Sequence, residues 1–417
     1  MELNFSETKT KSGVSLWTLS SSNYNSVAIG VIIRCGTRDE IWPKEAGIAH
    51  ALEHMHFQGT ADFPNNMKLT EHIEEVGGRI NASTNNERTF YHTRVPSGHA
   101  ERAVHVISEQ IKNSIIPDDK IPIEMKNIVQ EIRRRNDNPQ GYLWMLSKGF
   151  VYGDHPLGRD VLGTEESVLA FTRDNFLAFK KRYYNASNYV FIAVGNITET
   201  EALILFDKYF KDDLEKNLND RKNEEVVIKT NKQFIKNKEL DQLHISLDAL
   251  IGRGEDKSSL YLEFFRNMIS GGMSFPLFQE VRDRLGLCYQ IGASITKRMD
   301  VGNFGIYIGT DPKRYKEAIN ATIDVIEKSK SDINLLNKVK NLKLGQLMLN
   351  YENTQEIIML AVNDILFLGR PRGFEKIKKE IKEVKIKDIE ESVDKYLNPK
   401  SIFTTMLAPK GFNPILC

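Results

Sequence analysis

Gly47-Ile-Ala-His50-Ala-Leu-Glu53-His54-Met-His56-Phe-Gln-Gly59-Thr60 is the stretch from which the rest of the chain is read. It opens a few residues after Pro43 and closes at Gly59, and both are helix boundary signals. At about 100° per residue, Glu53 lies about −60° and His54 about +40° from His50, so the three side chains share one helix face. Two neutral imidazoles one turn apart can hold one zinc ion, and a carboxylate beside them can take a proton from an attacking water. His56 points about 200° away from His54 and cannot easily join the same ion, so it reads as a structural or second-site histidine.

Zinc wants a third protein ligand and an open fourth position. The run Pro122-Ile-Glu124-Met-Lys-Asn-Ile-Val-Gln-Glu131-Ile reads as a helix, and Glu124 and Glu131, nearly two turns apart, project from one side of it. One of the two can ligate while the other braces a ligand from behind, and spacing alone does not say which.

The wider composition is that of an ordinary globular protein: 417 residues, 57 Lys+Arg against 56 Asp+Glu, and 41% hydrophobic residues. That length suggests about two to three domains. A balanced charge gives no global reason to bind nucleic acid or an anionic membrane. Cys35, Cys288 and Cys417 are too few and too scattered for a disulfide framework or a CxxC metal site. They read as reduced thiols in a reducing compartment, and any zinc must be held by His and carboxylates. The start, Met1-Glu-Leu-Asn-Phe-Ser-Glu7, carries early acids and no apolar core, so the expectation is a cytoplasmic protein. No stretch approaches the roughly 18 consecutive apolar residues that membrane insertion needs. The segment Ile251-Gly-Arg-Gly-Glu-Asp-Lys-Ser fails the phosphate-loop spacing, which excludes nucleotide binding through it.

The clearest shift in composition lies at 211–238, rich in Lys, Asp, Glu and Asn. It divides the chain into 1–215, a charged linker 216–238, and 239–417. Before it, 26–35, 89–95 and 189–194 read as strands and 96–114, 122–136 and 199–210 as helices. After it come a strand at 243–247, a helix at 258–268, a hairpin from 289–296 and 304–310, and helices at 313–328 and 333–350. Interleaved strands and helices with hairpins among them favour an α+β fold over a doubly wound sheet. No alignment of the two halves can be defended by eye.

H-x-x-E-H is an inverzincin signature, and its surroundings resemble the pitrilysin or insulinase family of zinc peptidases. The likeness is strongest to the half-length branch that includes the mitochondrial processing peptidase and bacterial relatives. Beyond 47–60 it rests on Gly77-Gly-Arg-Ile-Asn81-Ala82-Ser-Thr84, Asp154-His-Pro-Leu-Gly158, Gly163-Thr164 and Val194-Gly-Asn196. In the second half it rests on Gly271-Gly-Met-Ser-Phe-Pro276-Leu-Phe-Gln-Glu-Val-Arg282-Asp-Arg-Leu-Gly-Leu-Cys-Tyr289. The resemblance implies two homologous α/β-roll domains per chain and one Zn2+ held by His50, His54 and Glu131, with Glu124 supporting a ligand. It implies Glu53 as catalytic base, and Arg282 and Tyr289 as the pair that approaches the zinc from the opposite half of the enzyme. A tyrosine hydroxyl can donate to a developing oxyanion, and a guanidinium can hold a substrate carbonyl or carboxylate. Asn81 and Ala82 match the family's substrate-binding edge strand, where an extended peptide can add by main-chain pairing.

Ala51, His56 and Pro276 depart from the family pattern and put specificity in question more than activity. The expectation is a zinc-dependent endopeptidase acting on peptides or unfolded segments. In longer relatives four domains enclose a chamber, so two domains imply a homodimer, with a heterodimer of related subunits left open. The rival readings are a non-catalytic peptide-binding or assembly subunit, and a zinc hydrolase acting on something other than peptides.

Overall fold

The computed structural model describes residues 3–211, 218–219, 221, 224–227 and 229–412. Residues 216–217, 220, 222–223 and 228 of the expected linker, and Cys417, therefore lie outside the described residues. The chain divides into two units whose segments interleave. The first takes Met1–Arg134, Arg159–Lys222 and Leu347–Ile377; the second takes Arg135–Gly158, Asn223–Gln346 and Lys378–Cys417.

The first unit is built on strands β1 (Ser6–Lys9), β2 (Ser15–Ser20), β3 (Ser26–Ile33), β4 (Arg79–Thr84), β5 (Thr89–Pro96) and β6 (Tyr189–Gly195), in the order β1-β2-β6-β3-β5-β4. Only β2 and β6 run parallel. β3 is buried from Val27 through Ile33, as a strand covered on both faces must be. Val27, Ile29 and Val31 join a core with Ile48, Leu52 and Met55 of the helix Ile48–Met55 and with Val104 and Ile107 of the helix Ala100–Lys112. Among the described residues β4 pairs only with β5 and leaves its other edge open.

The second unit carries β7 (Gln233–Lys238), β8 (Leu243–Ile251), β9 (Cys288–Thr296), β10 (Gly302–Thr310) and β11 (Phe403–Pro409), in the order β7-β11-β8-β10-β9. Here β7 and β11 are the parallel pair and the remaining pairs are antiparallel. With β1 set aside, the two sheets match strand for strand in order and sense: β2 with β7, β6 with β11, β3 with β8, β5 with β10, β4 with β9. The α+β fold with two like domains is therefore present in the backbone, although the sequence halves do not align by eye.

The boundaries at 215 and 239 do not follow these units, because each half lends a helix to the other. The helix Pro139–Tyr152 packs on β8 and β11 in the second unit, and the helix Thr354–Leu368 packs on β3 and β6 in the first. By the strand correspondence these are equivalent places. Both helices directly follow a long helix, Ile121–Asp137 in one case and Ile333–Asn350 in the other. The linker is also shorter than expected. Its last six residues form β7, and Arg221 is docked on Asp39 with Nη2 2.6 Å from Oδ2.

Within the second unit, Glu263 accepts from Lys297 Nζ and Lys343 Nζ, each at 2.6 Å. Burial opposes ionisation of Glu263, but the two ammonium groups outweigh it and hold its carboxyl well below the usual range. The unfolded chain then binds that proton more readily than the folded one. The ion pairs stabilise above about pH 4.3, and the contribution is lost as pH falls below that value. Glu263→Gln is expected to cost about 2 kcal/mol at pH 7, less than a fully buried pair because its ends are partly hydrated. Urea melts at pH 7 and pH 3 check it: the difference from wild type should shrink at the lower pH.

Candidate metal centre

The helix Ile48–Met55 is anchored at its start by a residue that the motif spacing does not reveal. Glu40, 3% exposed, accepts from the backbone N–H groups of Gly47 at 3.0 Å and Ala49 at 3.1 Å. These are donors that the first turn of a helix leaves unpaired. Burial pushes the Glu40 carboxyl well up, against the pull of the two N–H groups. Gly47 itself has φ 88°, and a β-carbon there would lie 2.6 Å from the Leu162 carbonyl oxygen. Only glycine satisfies both conditions. Glu40→Ala is expected to destabilise the protein by about 2 kcal/mol, the upper range for a lost helix cap, and a lower urea midpoint would report it.

On this helix His50, Glu53 and His54 face one way, and Ala51 and Leu52 are buried in the core on the other side. The helix Ile121–Asp137 brings both carboxylates to them. His50 Nε2 lies 3.8 Å from Glu131 Oε2, and His54 Nε2 lies 3.9 Å from Glu131 Oε1. One donor atom from each of His50, His54 and Glu131 falls within 4.8 Å of the others. Ligands about 2.1 Å from a tetrahedral zinc are about 3.4 Å apart, so this trio closes on such an ion with small side-chain adjustments. Glu124 Oε2 sits 3.3 Å from His54 Nδ1, where it accepts that N–H and leaves Nε2 free to ligate. In this geometry Glu131 faces both imidazoles and Glu124 stands behind one.

Electrostatics of the protein groups alone suit the arrangement. Burial, and then the neighbouring His54, bring His50 down to about 3, so its imidazole is neutral. Burial raises the Glu53 carboxyl, partly countered by a hydrogen bond from the Thr84 hydroxyl to Oε2. For His54, burial is outweighed by the Glu124 hydrogen bond and the carboxylates of Glu131 and Glu53, and its value rises. Thr84, the last residue of β4, is thus a positioning residue for Glu53. It lies inside a quoted motif, yet no spacing rule singles it out.

Asn81 and Ala82 sit on β4 at the open edge. Asn81 Oδ1 accepts the Ala82 N–H at 2.9 Å. Arg282 lies on a π-helical segment, Leu277–Arg284, and Tyr289 is the second residue of β9, both in the second unit. The guanidinium stands 5.2 Å from the Tyr289 ring centre, and Tyr289 is 74% exposed. Pro276, one departure from the family pattern, caps the start of that segment at φ −54°, where a missing N–H costs nothing. His56 is wholly buried with Nδ1 2.8 Å from the Tyr91 hydroxyl, which makes it structural. A second trio, Asp62, His105 and Glu109, comes together in space with no motif spacing to mark it. Its Glu109 already accepts the Asp62 N–H at 2.9 Å, and His105 Nε2 pairs with Asp62 Oδ2 at 2.8 Å. Among the described residues no helix is long and apolar enough to cross a membrane.

Residues 16–165 match the family described as Insulinase (Peptidase family M16), and 170–341 match the one described as Peptidase M16 inactive domain. A Rickettsia bellii protein named as an uncharacterized zinc protease is 33% identical over 74% of this chain and 74% of its own. The zinc protease YmxG of Bacillus subtilis, also named uncharacterized, is 28% identical over 97% of this chain and 98% of its own. Among solved structures, a protease from Helicobacter pylori has TM-score 0.87 at 20% identity, covering 98% of this chain and all (100%) of that one. A peptidase M16 inactive domain from Pseudomonas fluorescens has TM-score 0.89 at 18% identity, covering 99% and 100%. At such identities the two structures speak for the fold alone.

Proposed function

Because the chain belongs to the insulinase family of peptidases, peptidase family M16, we propose that it is a zinc-dependent endopeptidase acting on peptides or unfolded segments. The observation that carries the reading is the convergence of His50, His54 and Glu131 on one point, with Glu53 on the same helix face. Zinc, when bound by that trio, supplies a Lewis acid that polarises the scissile carbonyl and acidifies water. Glu53, held by Thr84, takes the proton of the attacking water and returns it to the leaving amine. Tyr289 donates to the developing oxyanion, Arg282 holds a substrate carbonyl or carboxylate, and the β4 edge at Asn81 and Ala82 pairs with the substrate main chain.

The relevant partner is a second copy of this chain, each active site joining the zinc motif of one subunit to Arg282 and Tyr289 of the other. A test is to mix Glu53→Ala chains with Tyr289→Phe chains, each inactive alone. Random pairing should restore roughly a quarter of wild-type turnover, and no recovery despite demonstrated subunit exchange would overturn the shared site. Cys35 and Cys288 are buried free thiols, which fits a reducing compartment, and we take that to be the cytoplasm.

The description of 170–341 as an inactive domain favours a second reading, a peptide-binding or assembly subunit. That span excludes His50, Glu53, His54 and Glu131, all of which fall in the segment matched at 16–165. The label thus bears on the half without the zinc motif. Cleavage of a mixed quenched-fluorescence peptide pool separates the two readings. Turnover that a chelator removes and zinc restores supports the peptidase; no turnover by zinc-replete protein supports the binding subunit.

A further inference from the structure

Arg282 stands where two backbone irregularities of the second unit meet. The segment Leu277–Arg284 is wound as a π-helix, with the Leu285 N–H donating to the Glu280 carbonyl five residues back at 3.1 Å. Tyr289 is the extra residue of a β-bulge: Gly309 and Thr310 are consecutive in β10, yet they pair with Gln290 and Cys288 of β9. Each irregularity aims a side chain where regular winding or pairing would not, and both kinds recur at functional sites. β9 packs on the segment and brings the two together.

Phe278 completes the contact. It lies four positions before Arg282, and Leu277 and Val281, likewise four apart, are buried beside them. Those two fix the inward side of the segment and leave Phe278 and Arg282 half-buried on its flank. The Arg282 guanidinium carbon stands 4.5 Å from the centre of the Phe278 ring, closer than the 5.2 Å to that of Tyr289.

Among the described residues Arg282 makes no hydrogen bond and no ion pair, whereas Arg284 on the same segment gives its Nε to Glu280 Oε2 at 2.6 Å. Ring faces carry partial negative charge and attract a guanidinium without consuming any of its five N–H donors. A salt bridge would hold the group and fill its hydrogen-bonding edge at once. Two rings hold it and leave that edge open.

We propose that Phe278 is a positioning residue, its ring face fixing the Arg282 guanidinium beside Tyr289 with its N–H edge ready for a substrate carbonyl or carboxylate. This rests on the peptidase reading and adds to it the residue that aims its arginine.

The test replaces Phe278 in the full, zinc-loaded chain with 4-fluoro- and then 3,4,5-trifluorophenylalanine, which keep the shape of the ring while draining charge from its face. Both kcat and KM are measured on one quenched-fluorescence peptide that the wild-type chain cleaves. KM should rise stepwise, to roughly three- to tenfold for the trifluoro ring, with kcat within about twofold and the melting temperature unchanged. Arg282→Ala should raise KM by about tenfold or more, and in that background fluorination should change nothing further. Phe278→Leu should behave as the trifluoro chain does; if it misfolds by near-ultraviolet circular dichroism, the fluorinated series decides alone. No wild-type turnover, or an Arg282→Ala chain as active as wild type, would sink the reading of Arg282 and the proposal with it. An impaired Arg282→Ala chain with KM flat across the fluorinated rings, or the same response to fluorination without the arginine, overturns the proposal alone.

Discussion

Glu53→Gln is expected to lower peptide turnover by about 10³- to 10⁴-fold while the protein still binds zinc. The amide keeps the shape of the side chain and can still accept from the Thr84 hydroxyl, so the base alone is removed. His50, His54 and Glu131, the groups that would hold the ion, are untouched. Stability should change little or rise, because Glu53 is 9% exposed and burial already disfavours its charged form. Zinc content by elemental analysis, melting temperature and peptide cleavage on one preparation check all three parts. Turnover within tenfold of wild type would remove Glu53 from the reaction. Lost zinc would make it a metal-site residue rather than a base.

Residues 1–215 produced alone are expected not to fold, although the sequence draws them as a domain. The reason is the helix Thr354–Leu368, which covers β3 and β6 and buries Ile357, Ile358, Val362 and Ile365. Losing the burial of these four side chains against the sheet forfeits about 6–12 kcal/mol, comparable with the whole stability of a typical domain at about 5–15 kcal/mol. Polar ties go with it, including Tyr24 Oη to the Tyr351 carbonyl at 2.6 Å and Ser26 Oγ to Thr354 Oγ1 at 2.9 Å. The fragment should be aggregated or lack a cooperative urea transition, and joining 347–377 to it through a flexible linker should restore one. A cooperative transition in residues 1–215 alone would show that the exchanged helix is dispensable.

The residues of the candidate metal centre were legible from sequence because their spacing is local. His50, Glu53 and His54 share one helix face by the geometry of a single turn, and Glu124 and Glu131 share another. The strands at 26–35, 89–95 and 189–194, and the helices at 122–136 and 333–350, were legible for the same reason: apolar period and boundary residues act over a few positions. What only the tertiary structure decided depends on contacts between distant segments. Glu40 anchors the helix Ile48–Met55 across a connecting segment that shows no spacing rule. Thr84 reaches Glu53 only because β4 lies against that helix. The repeated sheet topology survives where side chains have diverged, since strand order is fixed by backbone pairing and not by residue identity. The helix exchange is invisible in sequence because an apolar helix face reads the same whichever sheet it covers. Local periodicity thus fixes which residues can share a face, and long-range burial alone selects the sheet that face meets.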